Sequence, residues 1–237
     1  MNIALIGYGK MGQAIEVIAL EQGHSIGLII RSGNQEDLSN GKLQSCDVAI
    51  EFTNPESAVA NIRACLDAGV PVVCGSTGWY DQAAEMEQYC RDKKGSFLYA
   101  SNFSIGVNIF FEVNKRLAEL MSSHPEYKVQ VEEIHHTAKK DAPSGTAISL
   151  AEQILPFYPS LQGWTNSAGS DQLPIISRRE DPAPGTHHVR YQSEIDDIEI
   201  IHTAHSRKGF AAGAVLAASF ISGRKGIFSM KDVLNIK

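Results

Sequence analysis

The chain has 237 residues, 43% of them hydrophobic, and 21 Lys plus Arg against 27 Asp plus Glu, for a formal charge of −6. That length suits one large domain or two modest ones, with enough apolar content for a core. The acidic balance excludes a general attraction to nucleic acid or to an anionic membrane, while leaving room for a local basic pocket.

The longest apolar run, 211–221, is about half of the ~20 residues that span a bilayer. Met1 leads straight into Asn2-Ile3-Ala4-Leu5-Ile6, without the basic head of a signal peptide. Cys46, Cys65, Cys74 and Cys90 stand 19, 9 and 16 residues apart with no CxxC pair, which fits free thiols in a reducing cytoplasm.

In chain order, apolar runs at 2–6, 26–30, 47–52, 70–74 and 96–100 lack polar alternation, as strands buried on both faces of a parallel sheet do. Between them, Asn54-Pro55 reads as an N-cap with proline at the first helical position, and Gly69 as the stop. A further helix starts near Asp81 and ends before Gly95. The alternation predicts an α/β fold with a Rossmann-like doubly wound parallel sheet.

Beyond residue 104, Ile105, Ile109, Val113, Leu117 and Leu120 recur with the spacing of an amphipathic helix, and Lys128-Val129-Gln130-Val131-Glu132 alternates like a half-solvated strand. A helix over 144–155 and strands over 173–177, 187–192 and 195–203 complete an α+β domain with an open, largely antiparallel sheet, one face towards a helix or another subunit. The tail is expected to be helical over 210–221 and 228–234 and to pack back on the first part. The expected division is 1–103 with 211–237, and 104–210.

Gly7-Tyr8-Gly9-Lys10-Met11-Gly12 is GxGxxG, placed between the first strand and the first helix. Glycines there permit a tight turn and close approach to a pyrophosphate, which the helix start stabilises. The second strand ends in Ile30-Arg31-Ser32 with no carboxylate for a ribose 2′-hydroxyl; Arg31 would pair a 2′-phosphate, so NADPH is expected, with NADH as the alternative. Other strand ends carry Thr53-Asn54, Gly75-Ser76-Thr77-Gly78 and Ser101-Asn102-Phe103-Ser104. Singly each reads as ordinary turn chemistry; together they read as loops of one ligand crevice.

The segment from Glu133 to Ala147 holds His135, His136, Lys139 and Lys140 just after a strand, and Ser144, after Pro143, opens a helix. Backbone amides of Gly145 and Thr146 then form an anion site. A cationic pocket with a titratable imidazole suits a small anionic substrate that is protonated during reaction. A structural His pair and a solvated Lys pair remain the plain readings, and no third ligand at a recognisable spacing makes a metal site, so none is expected.

GYGKMG, GSTG at 75–78, SNFSIGVN at 101–108, HHTAKKDAPSGTA at 135–147 and RKGFAAGA at 207–214 resemble the 4-hydroxy-tetrahydrodipicolinate (dihydrodipicolinate) reductase family of bacterial lysine and diaminopimelate biosynthesis. The resemblance runs end to end. It implies hydride transfer from NAD(P)H to C4 of a cyclic α,β-unsaturated imine dicarboxylate, with the 4-hydroxyl lost as water. It implies His135 as proton donor and acceptor, and Lys139 as a proton-donating, substrate-orienting lysine. Substrate contacts fall to His136, Ser144, Gly145 and Thr146. Cofactor contacts fall to Gly7, Tyr8, Gly9, Lys10, Met11, Gly12, Arg31, Gly75, Ser76, Thr77, Ala100, Ser101, Asn102 and Phe103.

The first part would then be a dinucleotide-binding domain and the second a substrate-binding and oligomerisation domain of a cytoplasmic homotetramer. Two departures stand out: Ile30 replaces an acidic residue found in some members, and the 32–46 segment is short. The alternatives are another two-domain NAD(P)H oxidoreductase of a small acid, with Cys74 the cysteine to check, and a dinucleotide sensor without turnover.

Overall fold

The computed structural model describes residues 1–167 and 171–236. The chain divides into two compact units, Met1–Ile105 with Arg207–Lys237, and Gly106–Ser206.

The first unit alternates β1 (Asn2–Ile6), α1 (Lys10–Glu21), β2 (Ser25–Ile30), β3 (Val48–Glu51), α2 (Pro55–Asp67), β4 (Val72–Cys74), α3 (Ala83–Asp92) and β5 (Ser96–Tyr99). The sheet is fully parallel, in the order β11-β5-β4-β3-β1-β2, where β11 is the C-terminal strand Gly226–Phe228. Its strands are apolar at successive positions because both faces are covered. Ile3, Leu5, Val48, Ile50 and Val73 belong to one core, Ala4, Ile6, Ala49, Val72 and Cys74 to the other. The period of two sends neighbours to opposite faces, and neither face meets water. The cap of α2 is as read from sequence: the Asn54 side chain accepts from the Ser57 amide at 2.9 Å and Pro55 follows.

After the second unit the chain returns as α6 (Lys208–Ile221), β11 (Gly226–Phe228) and α7 (Met230–Leu234). The tail differs from expectation at Phe228, which ends an edge strand beside β5 rather than starting a helix. Ser229 is the reason. With Asp232 it forms a capping box that starts α7 at Met230, and an N-cap residue is not itself helical.

The second unit holds α4 (Ile105–Met121), β6 (Lys128–His135), α5 (Gly145–Ile154), β7 (Trp164–Thr165), β8 (Leu173–Arg179), β9 (Gly185–Gln192) and β10 (Asp197–Ala204). Its sheet, ordered β10-β9-β6-β8-β7, is open but mixed. The β10/β9 and β9/β6 pairs are antiparallel, while β6/β8 and β8/β7 are parallel. The antiparallel expectation therefore holds for one half of the sheet. It gives way at β8 because α5 lies between β6 and β8, and a helical crossover returns the chain parallel.

A second difference concerns α4. Of the stripe read as its apolar face, Ile105, Ile109, Val113 and Leu120 are exposed and only Leu117 packs against the core, whereas Val107, Phe110, Phe111, Ala118 and Met121 enter it with α5 and the sheet. Both stripes have helical spacing, and the face bearing two phenylalanines is the one that is buried. Among the described residues no helix is long and apolar enough to cross a membrane.

Candidate active site

In the first unit the glycine turn sits at the carboxyl edge of β1. Gly7 has φ +94°, and a Cβ on it would stand 2.1 Å from the Phe52 carbonyl oxygen; a Cβ on Gly9 would meet nothing within 4 Å. The first glycine is thus demanded by packing, while the second leaves open space at the start of α1, which has no side-chain cap and no acidic residue in its first turn.

Gly7, Tyr8, Gly9, Arg31, Thr53 and Asn54 line a cavity of about 460 Å³. Across it the Arg31 guanidinium lies over the Tyr8 ring, 4.3 Å from the centroid, and the Tyr8 hydroxyl donates to Glu16. Lys10 is exposed, Met11 packs against the core and Gly12 is buried beneath the turn.

Gly75, Ser76 and Thr77, with 100–103, are not among that lining. A Cβ on Gly75 would strike the Phe52 ring at 2.1 Å, so this glycine makes room for an aromatic ring. Ser76 is buried, its hydroxyl accepting from the Thr53 amide at 2.8 Å. Phe103 is buried beside Phe52 with ring centroids 5.6 Å apart, Ala100 packs on the same core, and the Asn102 side-chain oxygen Oδ1 accepts from the Ser104 amide. Thr77 and Ser101 are exposed.

In the second unit, β6 alternates into the core as Val129, Val131, Glu133 and His135, so the last two inward positions of an apolar series carry ionisable groups. Glu133 is fully buried and is flanked in register by Ser177 on β8 and His187 on β9. Its carboxylate accepts from the Ser144 amide at 3.1 Å, the Ser177 hydroxyl at 2.8 Å and both Arg179 nitrogens at 3.3 Å. Nδ1 of His135 lies 3.4 Å from Oε2 of Glu133, and Nε2 of His187 lies 3.9 Å from the same oxygen. The two imidazoles meet edge to face at 5.1 Å, with Nδ1 of each buried and without a hydrogen-bond partner.

Burial pushes the His135 pKa down, with Lys139 and Arg179 adding to the effect and Glu133 opposing it. Burial likewise takes His187 to about 3. For Glu133 burial acts upwards, but the bonds from Ser144 and Ser177 outweigh it and hold the carboxyl below its ordinary value.

Ser144 is the N-cap of α5, its hydroxyl accepting from the Ala147 amide at 3.2 Å and lying 3.3 Å from Nε2 of His187. A Cβ on Gly145 would meet nothing within 4 Å, so the helix start faces open space there, with half-buried Thr146 next to it. Lys139 is held by both oxygens of Asp141, at 2.9 and 2.8 Å. His136 is anchored by its amide to the Ala183 carbonyl at 2.8 Å.

Sequence reasoning named His135 and Lys139 but not Glu133, Arg179 and His187, which the structure places around His135. The signal for Glu133 was the β6 alternation carried two steps further; His187 and Arg179 become neighbours only through strand pairing. Glu133, His135 and His187 each offer a metal-ligand atom within 4.8 Å of the others. The carboxylate, however, is already engaged by a guanidinium, so a cation would have to compete with it.

A parallel sheet with a glycine turn and an uncapped helix start at its carboxyl edge belongs to the dinucleotide-binding class of α/β proteins, and the second unit adds buried proton-handling groups. The family is specific. Residues 1–103 match the pattern described as dihydrodipicolinate reductase, N-terminus, and residues 106–234 the one described as dihydrodipicolinate reductase, C-terminus. The chain belongs to the dihydrodipicolinate reductase family, a family of NAD(P)H-dependent oxidoreductases.

It is 50% identical to a 4-hydroxy-tetrahydrodipicolinate reductase of Christiangramia forsetii, over 99% of this chain and 98% of that one. In fold it is similar to a dipicolinate-bound dihydrodipicolinate reductase from Paenisporosarcina sp. TG-14, with TM-score 0.76, 24% identity, and 100% and 99% of the two chains covered. It is also similar to GenD2 from gentamicin A biosynthesis, a structure in complex with NAD, with TM-score 0.59, 9% identity, and 99% and 90% covered.

The alternative requiring an activated cysteine does not fit Cys74. That thiol is buried, faces Glu51 at 2.9 Å, and is pushed well above its ordinary pKa by burial and by that carboxylate.

Proposed function

We propose that this protein reduces 4-hydroxy-tetrahydrodipicolinate to tetrahydrodipicolinate with NAD(P)H. The observation that carries the reading is the buried Glu133–His135–His187 cluster built around the N-cap of α5, on the segment that carries HHTAKKDAPSGTA.

The first unit binds the dinucleotide. The Gly7–Gly12 turn and the start of α1 take the pyrophosphate, and Arg31, stacked on Tyr8, takes the adenosine ribose. NADPH is the preferred donor on this reading, because a guanidinium at the end of β2 pairs a 2′-phosphate and no carboxylate there selects a free hydroxyl. The bound nicotinamide supplies a hydride. Gly75, Ser76, Thr77 and residues 100–103 shape the carboxyl edge of the same sheet, several of them by packing.

The second unit binds the dicarboxylate. One carboxylate is received at the start of α5 by Ser144, Gly145 and Thr146, with Lys139 and His136 beside it. Once the 4-hydroxyl has left as water, hydride reaching C4 of the conjugated imine creates negative charge that is quenched by a proton at C3. His135 gives that proton and Lys139 stabilises the developing charge.

A homotetramer is supported by apolar side chains left uncovered on the second unit, among them Ile109, Val113, Ile198 and Ile201. A reducing cytoplasmic setting is supported by four buried free cysteines.

The test follows loss of reduced-nicotinamide absorbance with freshly made dihydrodipicolinate synthase product. Turnover is expected with NADPH; none with either nicotinamide would overturn the assignment. The dinucleotide sensor predicts the same nucleotide binding with no turnover.

A further inference from the structure

We propose that His135 is neutral in the ligand-free protein and takes one proton from solvent when a dicarboxylate seats at the start of α5, so that the substrate loads the acid that will protonate it. Glu133 and His187 are the positioning residues of this exchange. The inference rests on the function proposed above and concerns when its proton arrives.

Charged and titratable groups face His135 from several elements. Glu133 comes from its own strand, Lys139 and Asp141 from the loop that follows, Arg179 from β8 and His187 from β9. The two anions and two cations among these cancel, so a proton on the buried His135 would leave this group of side chains with a net positive charge. Among the described residues the carboxylate in contact with the ring, Glu133, is also divided among other donors: Arg179, Ser177 and the Ser144 amide. Asp141 is no help, since both of its oxygens are taken by Lys139. With His135 only 7% exposed, little water offsets the charge. The downward pKa shift of His135 agrees with this balance.

A dicarboxylate reverses it. An anion held by the Gly145 and Thr146 amides sits next to Ser144, whose own amide is bonded to Glu133 and whose hydroxyl adjoins His187. Two added negative charges make the imidazolium the favoured form, because an opposite charge within roughly 4–6 Å raises a histidine pKa by about one to three units. His187 is a neutral partner: buried and paired in register with Glu133, it packs on His135 without repelling a second charge. The proton passes from solvent to His135, then from His135 to C3 of the reduced substrate, and the ring returns to neutral.

The measurement is titration calorimetry of pyridine-2,6-dicarboxylate into the protein saturated with NADPH, near neutral pH, in buffers of different ionisation heat. Net uptake approaching one proton per chain is expected, falling at least about fivefold in His135→Gln while the ligand still binds. The wild-type pH profiles supply a reading free of folding effects. The basic limb of kcat, which reports the bound state, should lie about one pH unit or more above that of kcat/KM, which reports the free enzyme. Coincident limbs, zero uptake, uptake unchanged in His135→Gln, or no binding at millimolar ligand would each overturn the proposal. A turnover assay on the same preparation separates the two readings. An active enzyme without proton uptake removes only the loading step, whereas an inactive one removes the proposed function.

Discussion

Glu133 on β6 and His187 on β9 stand directly opposite one another in register, the carboxylate 3.9 Å from the imidazole and both side chains closed off from solvent. A buried carboxylate shared by two imidazoles, a guanidinium and a helix cap is a costly arrangement unless every donor is answered. Removing its charge while keeping its shape is therefore informative. Glu133→Gln still accepts from the Ser144 amide but no longer favours a charged His135, so kcat/KM should fall about tenfold or more. The KM for the nucleotide should stay near wild type, because the contacts proposed for it lie in the other unit; steady-state kinetics with each substrate varied reads both.

Acid should destabilise the fold through the same cluster. His187 is held at about 3, so the folded state keeps it neutral while the unfolded chain protonates it below the ordinary value near 6.5. Stability is then complete above that value and declines as pH falls towards 3, by up to ~1.4 kcal/mol per pH unit from this residue. Glu133, lowered in the fold, adds a loss of the same sign at the acid end. Denaturant midpoints at neutral pH and at about pH 5 should differ, and His187→Gln should flatten the dependence.

Arg31 tests the cofactor reading. Arg31→Ala should lower kcat/KM for NADPH by roughly 10- to 100-fold, the worth of one charge-assisted contact, and leave NADH nearly unchanged. An equal loss with both nucleotides would assign Arg31 to the stacking on Tyr8 instead.

Two glycines of α6 should behave oppositely. A Cβ on Gly213 would lie 1.7 Å from the Phe103 carbonyl oxygen, a backbone atom, so Gly213→Ala should cost about 3 kcal/mol or more. Gly209 has only the Ser104 hydroxyl at 3.7 Å, and Gly209→Ala should be neutral or stabilise by up to ~1 kcal/mol. Chemical unfolding of the pair reads the difference.

All four cysteines are buried and unpaired. No thiol should react with a disulfide reagent in the native protein on the timescale of minutes, and four should react in denaturant. Fast modification of Cys74 with loss of activity would reopen the cysteine-dependent alternative.

Much of the fold was legible because the signals were local. Runs such as Asn2–Ile6, the Asn54-Pro55 cap and the GxGxxG turn are decided by residues within one turn or strand of each other, and they appear where the sequence puts them. The errors share another cause. α4 has two apolar stripes and only packing chooses between them; Phe228 is helical by pattern but adds to a sheet edge created by β5, far away in the chain.

The sequence by itself determined the alternation of strands and helices, the glycine turn ahead of the first helix, and the placing of two imidazoles and a lysine just ahead of a capped helix, since each depends on side-chain period or backbone freedom over a few residues. Only the tertiary structure decided that Glu133, Arg179 and His187 surround His135. Strand pairing joins positions more than forty residues apart, and it is the burial produced there that sets how tightly the imidazole holds a proton.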